Sequence, residues 1–259
     1  MTLLDDAHAA MMQNEDDDAA RLRFYSQLAD AELFLLLDSD AVADQIKPRV
    51  FDLDEGQVVL AFDLEERLAE FVGGPAPYAA LPGRVIAAQL AGQGIGMGLN
   101  IGFASSIMLP DDVMDWLTAT LGTKPTKVAA TPLGFSHPWG VPAEVTELLM
   151  EKLGANPGLA EAVLLAEVMY DGGRRGHILA VLGASTGAEA ALSGAVSEAL
   201  VFSGLDMAEM DVVFLAANDP RTKAIADVAL RLDFPKSVAS APNAQRVPGM
   251  NPEKPPILR

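Results

Sequence analysis

The sequence predicts an α+β protein made of two small α/β domains, each a mixed or mainly antiparallel sheet with helices packed on it. Three observations predict this. Half of the 259 residues are hydrophobic and 21% are charged, enough to bury a sizeable core. Strand-like and helix-like segments are interleaved. In the second half they run α-β-β-α-β-α, which is not the strict alternation of a doubly wound parallel sheet. Between the halves, residues 123–142 hold four prolines and no periodic pattern, as a domain boundary does. The expected organisation is an acidic extension (1–18), a first domain (19–122), a Pro-rich linker (123–141), a second domain (142–234) and a Pro-rich basic tail (235–259).

Each element has a local reason. Asp16-Asp17-Asp18 precedes a helical pattern from Ala19 to Ala29, with Leu22, Tyr25 and Leu28 near one face. Carboxylates there offset the positive end of the helix dipole. His8 falls in the preceding segment, expected to be frayed. Glu32 to Leu37 reads as a buried strand, and Phe51 to Leu60 as a hairpin about an Asp-Glu-Gly turn. Leu64 to Phe71 is helical. A tight Leu81-Pro82-Gly83 turn leads to a helix over Arg84 to Leu90. Met97–Gly102 and Ser106–Leu109 read as strands, and Pro110-Asp111 opens a helix through Leu117. After the linker come a helix over Ala143–Leu153, strands over Val163–Tyr170 and His177–Leu182, and a helix over Ala188–Phe202. A strand over Asp211–Ala216 and a helix over Pro220–Leu230 close the domain. The Asp211 strand is expected beside its partner across the long helix, in a split βαβ arrangement.

Composition excludes several functions. The net charge of -18 opposes sequence-independent nucleic-acid binding and docking on an anionic membrane. With no Cys there are no thiolate nucleophiles, disulfides or iron–sulfur ligands. The N-terminus shows no signal-peptide pattern, and no apolar run approaches the roughly 20 residues that span a bilayer. A cytoplasmic protein is expected, with no cofactor and no metal site.

The sharpest chemical motif is Gly183-Ala184-Ser185-Thr186-Gly187, a G-x-S-x-G between a strand and a helix. Ser185 would be the nucleophile. Against this, His8, His137 and His177 all precede it, whereas the hydrolase order places the base after the serine. The competing reading makes Ser185 or Thr186 a helix cap, with Glu189 completing a capping box. The glycines at 92, 94, 96, 98 and 102 miss the dinucleotide-loop spacing and lead into a strand instead of out of one. Asp52, Asp54 and Gly56 miss the calcium-loop spacing. Arg174, Arg175 and His177 at a hairpin tip offer a small anion site or a solvated loop.

The run from Val58 to Gly102 resembles the N-terminal domain of the SseB family, the enhanced serine sensitivity proteins. The resemblance rests on the strand ELFLLL, the hairpin into Val59-Leu60-Ala61-Phe62-Asp63, the helix LEERLAEF, the Leu81-Pro82-Gly83 turn and Gly98-Leu99-Asn100-Ile101-Gly102. The segment from Ala162 to Phe234 is similar to that family's C-terminal domain. The resemblance implies two small α/β domains in a cytoplasmic bacterial protein, and it carries over no catalytic residue. The resulting expectation is a non-enzymatic protein that binds a partner protein or small ligand. Phe62, Asp63, Tyr78, Arg84 and Asn100 are the candidate binding residues beside the Gly/Asn-rich strand. A serine hydrolase using Ser185 and a self-associating structural protein are the alternatives.

Overall fold

A computed structural model describes residues 1–14, 16–40, 46–54, 56–123, 131–154, 158–204, 210–216 and 218–234. The chain forms two α+β units, each built on one mixed sheet. The basic tail and residues 124–130 of the expected linker lie outside the described residues.

The first unit contains α1 (Leu3–Gln13), α2 (Asp18–Asp30), β1 (Glu32–Leu36), β2 (Val50–Leu53), β3 (Gly56–Phe62) and α3 (Glu65–Val72). It continues with β4 (Tyr78–Pro82), α4 (Gly83–Leu90), β5 (Ile95–Leu99), β6 (Ile107–Leu109) and α5 (Asp111–Leu121). The strand order is β4-β1-β3-β5-β6, with β2 also paired to β3. β3 and β5 run parallel and the other pairs antiparallel.

The N-terminal segment is not frayed. Thr2 and Asp5 form a reciprocal capping box that starts α1, and Leu4, His8 and Met11 are buried. Asp17 caps α2 by accepting from the amides of Ala19 and Ala20, a direct bond in addition to the dipole compensation expected of the acidic triplet. The Leu81-Pro82-Gly83 turn is also corrected. Tyr78–Pro82 is a strand paired with β1, and α4 begins directly at Gly83. Pairing satisfies backbone groups that a turn reading left open. A Cβ at Gly83 would sit 1.9 Å from the Leu28 carbonyl oxygen, so glycine is what lets α4 close against α2.

The second unit contains β7 (Pro132–Ser136), α6 (Ala143–Gly154), β8 (Ala162–Tyr170), β9 (Arg175–Leu182), α7 (Glu189–Phe202), β10 (Met210–Leu215), α8 (Pro220–Ala226) and β11 (Leu230–Asp233). The order is β10-β9-β8-β11, with β7 also on β8. Three expectations change. Part of the Pro-rich segment is strand β7, which pairs with Glu167–Tyr170. The last helix stops at Ala226, and Leu230–Asp233 is a strand on β8. β10 lies directly beside β9 in parallel register, so the βαβ unit is not split.

Alternation assigns the faces. Leu33, Leu35, Val59, Ala61, Met97 and Leu99 of the first sheet share one buried cluster with Val163, Leu165, Leu179 and Val181 of the second. The helices between them belong to both: α2 and α5 pack on α7, and α6 packs beside α7. Phe24, Leu28 and Phe202 are fully buried there. Each such side chain contributes about 1.5–3 kcal/mol on leaving water. The outer faces have smaller clusters of their own. Leu36, Val58, Leu60, Phe62 and Leu68 lie with α3, and the outer residues of β8 and β9 lie with Ile225 of α8. Among the described residues, no helix is long and apolar enough to cross a membrane.

Candidate functional site

The structure divides the five candidate residues among three places. Asp63 and Asn100 come together because β3 and β5 are parallel neighbours and both end there. The carboxyl ends of parallel strands are where α/β sheets commonly place ligand sites. Asn100 has φ 49°, in the left-handed region, which an asparagine tolerates better than most residues. This bends the chain so that the Phe103 amide donates to the Asn100 carbonyl at 3.0 Å. The Asn100 side chain is fully buried. Its Oδ1 accepts from the Asp63 amide at 3.0 Å, and its Nδ2 donates to Ser105 Oγ at 3.0 Å.

A network continues outward from this pair. Ser105 Oγ donates to Asp5 Oδ1 at 2.5 Å, which ties the turn to α1. Arg67 on α3 grips Asp5 with both Nη atoms at 2.8 and 2.7 Å, and its Nη1 also reaches Asp63 at 2.6 Å. Thr2 Oγ1 donates to the other Asp63 oxygen at 2.5 Å. The guanidinium carbon lies 5.6 Å from the centre of the Phe103 ring. These groups satisfy one another, so Asn100 acts here as the hydrogen-bonded anchor between two strand ends. Asp63 and Arg67 stand four residues apart, an ion-pair spacing visible in the sequence. The partners Thr2, Asp5 and Ser105 were not expected, because they meet only once α1 is docked.

The Arg67 guanidinium, with Ser105 and Thr2, holds the Asp5 carboxyl well below the usual carboxylate range, against the opposing effect of burial. Burial lowers the His8 imidazole below its ordinary value, with Asp5 opposing. Both shifts make the docking of α1 acid-sensitive. Below the ordinary His8 value of 6.5, the unfolded chain binds a proton that the folded chain resists. The Asp5 contribution is fully present above 3.8 and is lost as pH falls through its lowered folded value. Amide exchange in α1 is therefore expected to quicken in two stages on acidification. His8→Gln should remove the upper stage and Asp5→Asn the lower. Exchange independent of pH from 7 to 4, after correction for intrinsic rates, would refute the upper stage, and no further quickening from 4 down to 2 would refute the lower.

Phe62 and Tyr78 share the outer face of the first sheet. Phe62 is fully buried beneath the rings of Phe71 and Phe103, with centroids 5.3 and 6.4 Å away. Tyr78 packs edge-on to Phe34 at 5.3 Å. Burial of the Tyr78 phenol raises its pKa, and the nearby Glu65 carboxylate adds to the rise.

Arg84 belongs to neither group. It extends from α4 to the second unit, donating to both Glu198 oxygens at 3.0 Å and to Asp30. Lys152 Nζ completes the cluster at 2.5 Å from Asp30 and 3.6 Å from Glu198, and its side chain is only 4% exposed. It also lies 5.5 Å from the Phe202 ring centre. Glu198 and Asp30 hold the Arg84 guanidinium charged at any accessible pH. Arg84 is thus a tie between the units instead of a companion of Asn100.

The other motifs also find partners. Ser185 Oγ donates to the Gly158 carbonyl at 2.7 Å, and the Ser185 amide donates to Leu159 at 2.8 Å. The cap position of α7 is Ala188, with no side-chain cap bond, so the expected Thr186–Glu189 capping box does not form. Gly183 and Gly187, at φ 63° and 84°, turn the segment toward the 158–159 loop instead. The three cationic candidates at the hairpin diverge. Arg174 stacks on Tyr170 at 4.3 Å, Arg175 approaches Glu167 at 3.7 Å, and His177 Nε2 lies 3.4 Å from the Trp139 carbonyl.

Residues 4–116 match the family model described as SseB protein N-terminal domain. The match ends within α5, and the second unit lies outside it. No curated protein and no solved structure matches the chain.

Proposed function

From the match of residues 4–116 to the SseB protein N-terminal domain, we propose a non-enzymatic, cytoplasmic protein that recognises a partner protein, with a bearing on sensitivity to serine. The observation that carries the reading is the outer face of the first sheet. Phe34, Phe51, Phe62, Tyr78 and Phe103 gather on that side, and Phe71 joins them from the eight-residue α3 that packs there. Phe71 and Tyr78 remain 40% and 37% exposed, and Leu53 on the same side is 49% exposed. Exposed aromatics over a buried aromatic base are what binding hot spots are made of. The neighbouring polar groups are engaged with one another, which favours a rigid recognition surface over reaction chemistry.

The test compares partners retained by the full chain and by the Phe71→Glu/Tyr78→Glu variant at matched thermal stability. A partner held by the native chain and lost by the variant is the expected result. The same partners at the same occupancy on both would refute the assignment of this face.

A further inference from the structure

A groove lies between the two units, away from the aromatic face. It has a volume of about 640 Å³ and runs between α1 and α2 on one side and α6 on the other. That volume is within the range of pockets that hold ligands. Three helical stripes build it. Leu3, Ala7, Ala10 and Asn14 recur at the spacing of one face of α1. Ala19, Ala20, Arg23 and Gln27 do so on α2, and Glu144, Leu148 and Glu151 on α6. The floor is apolar and made of small side chains, so the trough stays open where larger residues would have closed it. Leu3 stands at its rim, 74% exposed.

The rim is acidic. Among the described residues that line it, Asp17, Glu144 and Glu151 stand against one cation, Arg23. Arg23 is itself drawn to Glu147 at 3.9 Å, and Gln27 donates to Glu151. An apolar trough edged by carboxylates favours an apolar ligand that carries positive charge. The shape adds a length. From Leu3 to Asn14 the α1 wall runs roughly 16 Å, the span of about five extended residues.

We propose that this groove binds a short linear peptide segment of a partner protein, with aliphatic side chains flanked by Lys or Arg. The aliphatic groups lie over Ala7, Ala10 and Leu148, and the flanking cations meet Glu144, Glu151 and Asp17.

The test uses the full chain and three labelled peptides: Lys-Leu-Leu-Arg, Glu-Leu-Leu-Glu and Lys-Ser-Ser-Arg. Fluorescence anisotropy at low salt is expected to show the first binding at least about tenfold tighter than either other. Ala10→Trp, at an exposed position, fills the trough without touching the core and should weaken binding about tenfold or more. Glu144→Lys/Glu151→Lys should do the same. Leu133→Ser, at an exposed position on β7 outside both the groove and the aromatic face, should leave binding unchanged. Equal binding of the three peptides, or native binding by Ala10→Trp, overturns the proposal. A photo-crosslinking residue in place of Leu3 reports the occupant. Capture of the Lys-Leu-Leu-Arg peptide supports the proposal. Crosslinks within the same chain would assign the groove to the chain's own segment, and crosslinked dimers would assign it to a second copy. Either of these overturns it.

Discussion

Replacing Arg67 with Met is expected to cost about 3–5 kcal/mol of stability, the cost of removing one partner from a buried ion pair. Arg67 is 17% exposed in its side chain, and the carboxylates it serves, Asp5 and Asp63, are 10% and 3% exposed. Without the guanidinium, two carboxylates face each other across a site from which water is largely removed. Methionine fills the volume of the stem but supplies no donor. The loss should appear as a lower urea midpoint and as early exposure of α1, because Asp5 is the tie between α1 and α3. Arg67→Lys keeps the charge but cannot make the two-point grip on Asp5, so it should fall between native and Arg67→Met. Adding Asp5→Asn to Arg67→Met should recover part of the loss by removing one of the facing charges. A drop of less than about 1 kcal/mol for Arg67→Met would show a solvated, weakly coupled network.

The second large effect is expected at Lys152, whose removal should cost about 2–3 kcal/mol. Its ammonium lies between Asp30 of the first unit and Glu198 of the second. Lys152→Met retains contact with the Phe202 ring but leaves Arg84 alone to neutralise two carboxylates. Glu198→Gln in the Lys152→Met background should return part of the stability, and the double-mutant cycle gives the coupling directly. Thermal unfolding should remain a single transition in the native chain, since one buried cluster serves both sheets. Two resolved transitions in the native protein would contradict that shared core.

Much of the architecture could be read from local signals. The start of α2 after the acidic triplet, the ELFLL strand, the β2–β3 hairpin and the α6 and α7 helices follow from helix-dipole compensation, turn chemistry and hydrophobic periodicity. The strands that escaped, β4, β7 and β11, are four or five residues long and contain or adjoin proline or small residues. Their periodicity is too brief to register, and neighbouring strands stabilise them. The pairing of Asp63 with Asn100 was anticipated as a neighbourhood. The fate of Arg84 was not, because its partners lie 54 and 114 residues away.

The Val58–Gly102 run carries the family resemblance because its signals are local: strand, helix, Gly83 and Asn100 in one order. By itself the sequence determined the α+β class, most element positions and the kinship of the first unit. Tertiary structure alone decided what those residues do for one another. It set α1 against Arg67, turned Arg84 toward Glu198, merged the inner faces of two sheets into one core and left the aromatic face and the acidic groove open. The physical reason is range. Caps, turns and periodicity act within a few residues, whereas ion pairs and packed faces join segments far apart in the chain, and their partners exist only after the helices have docked.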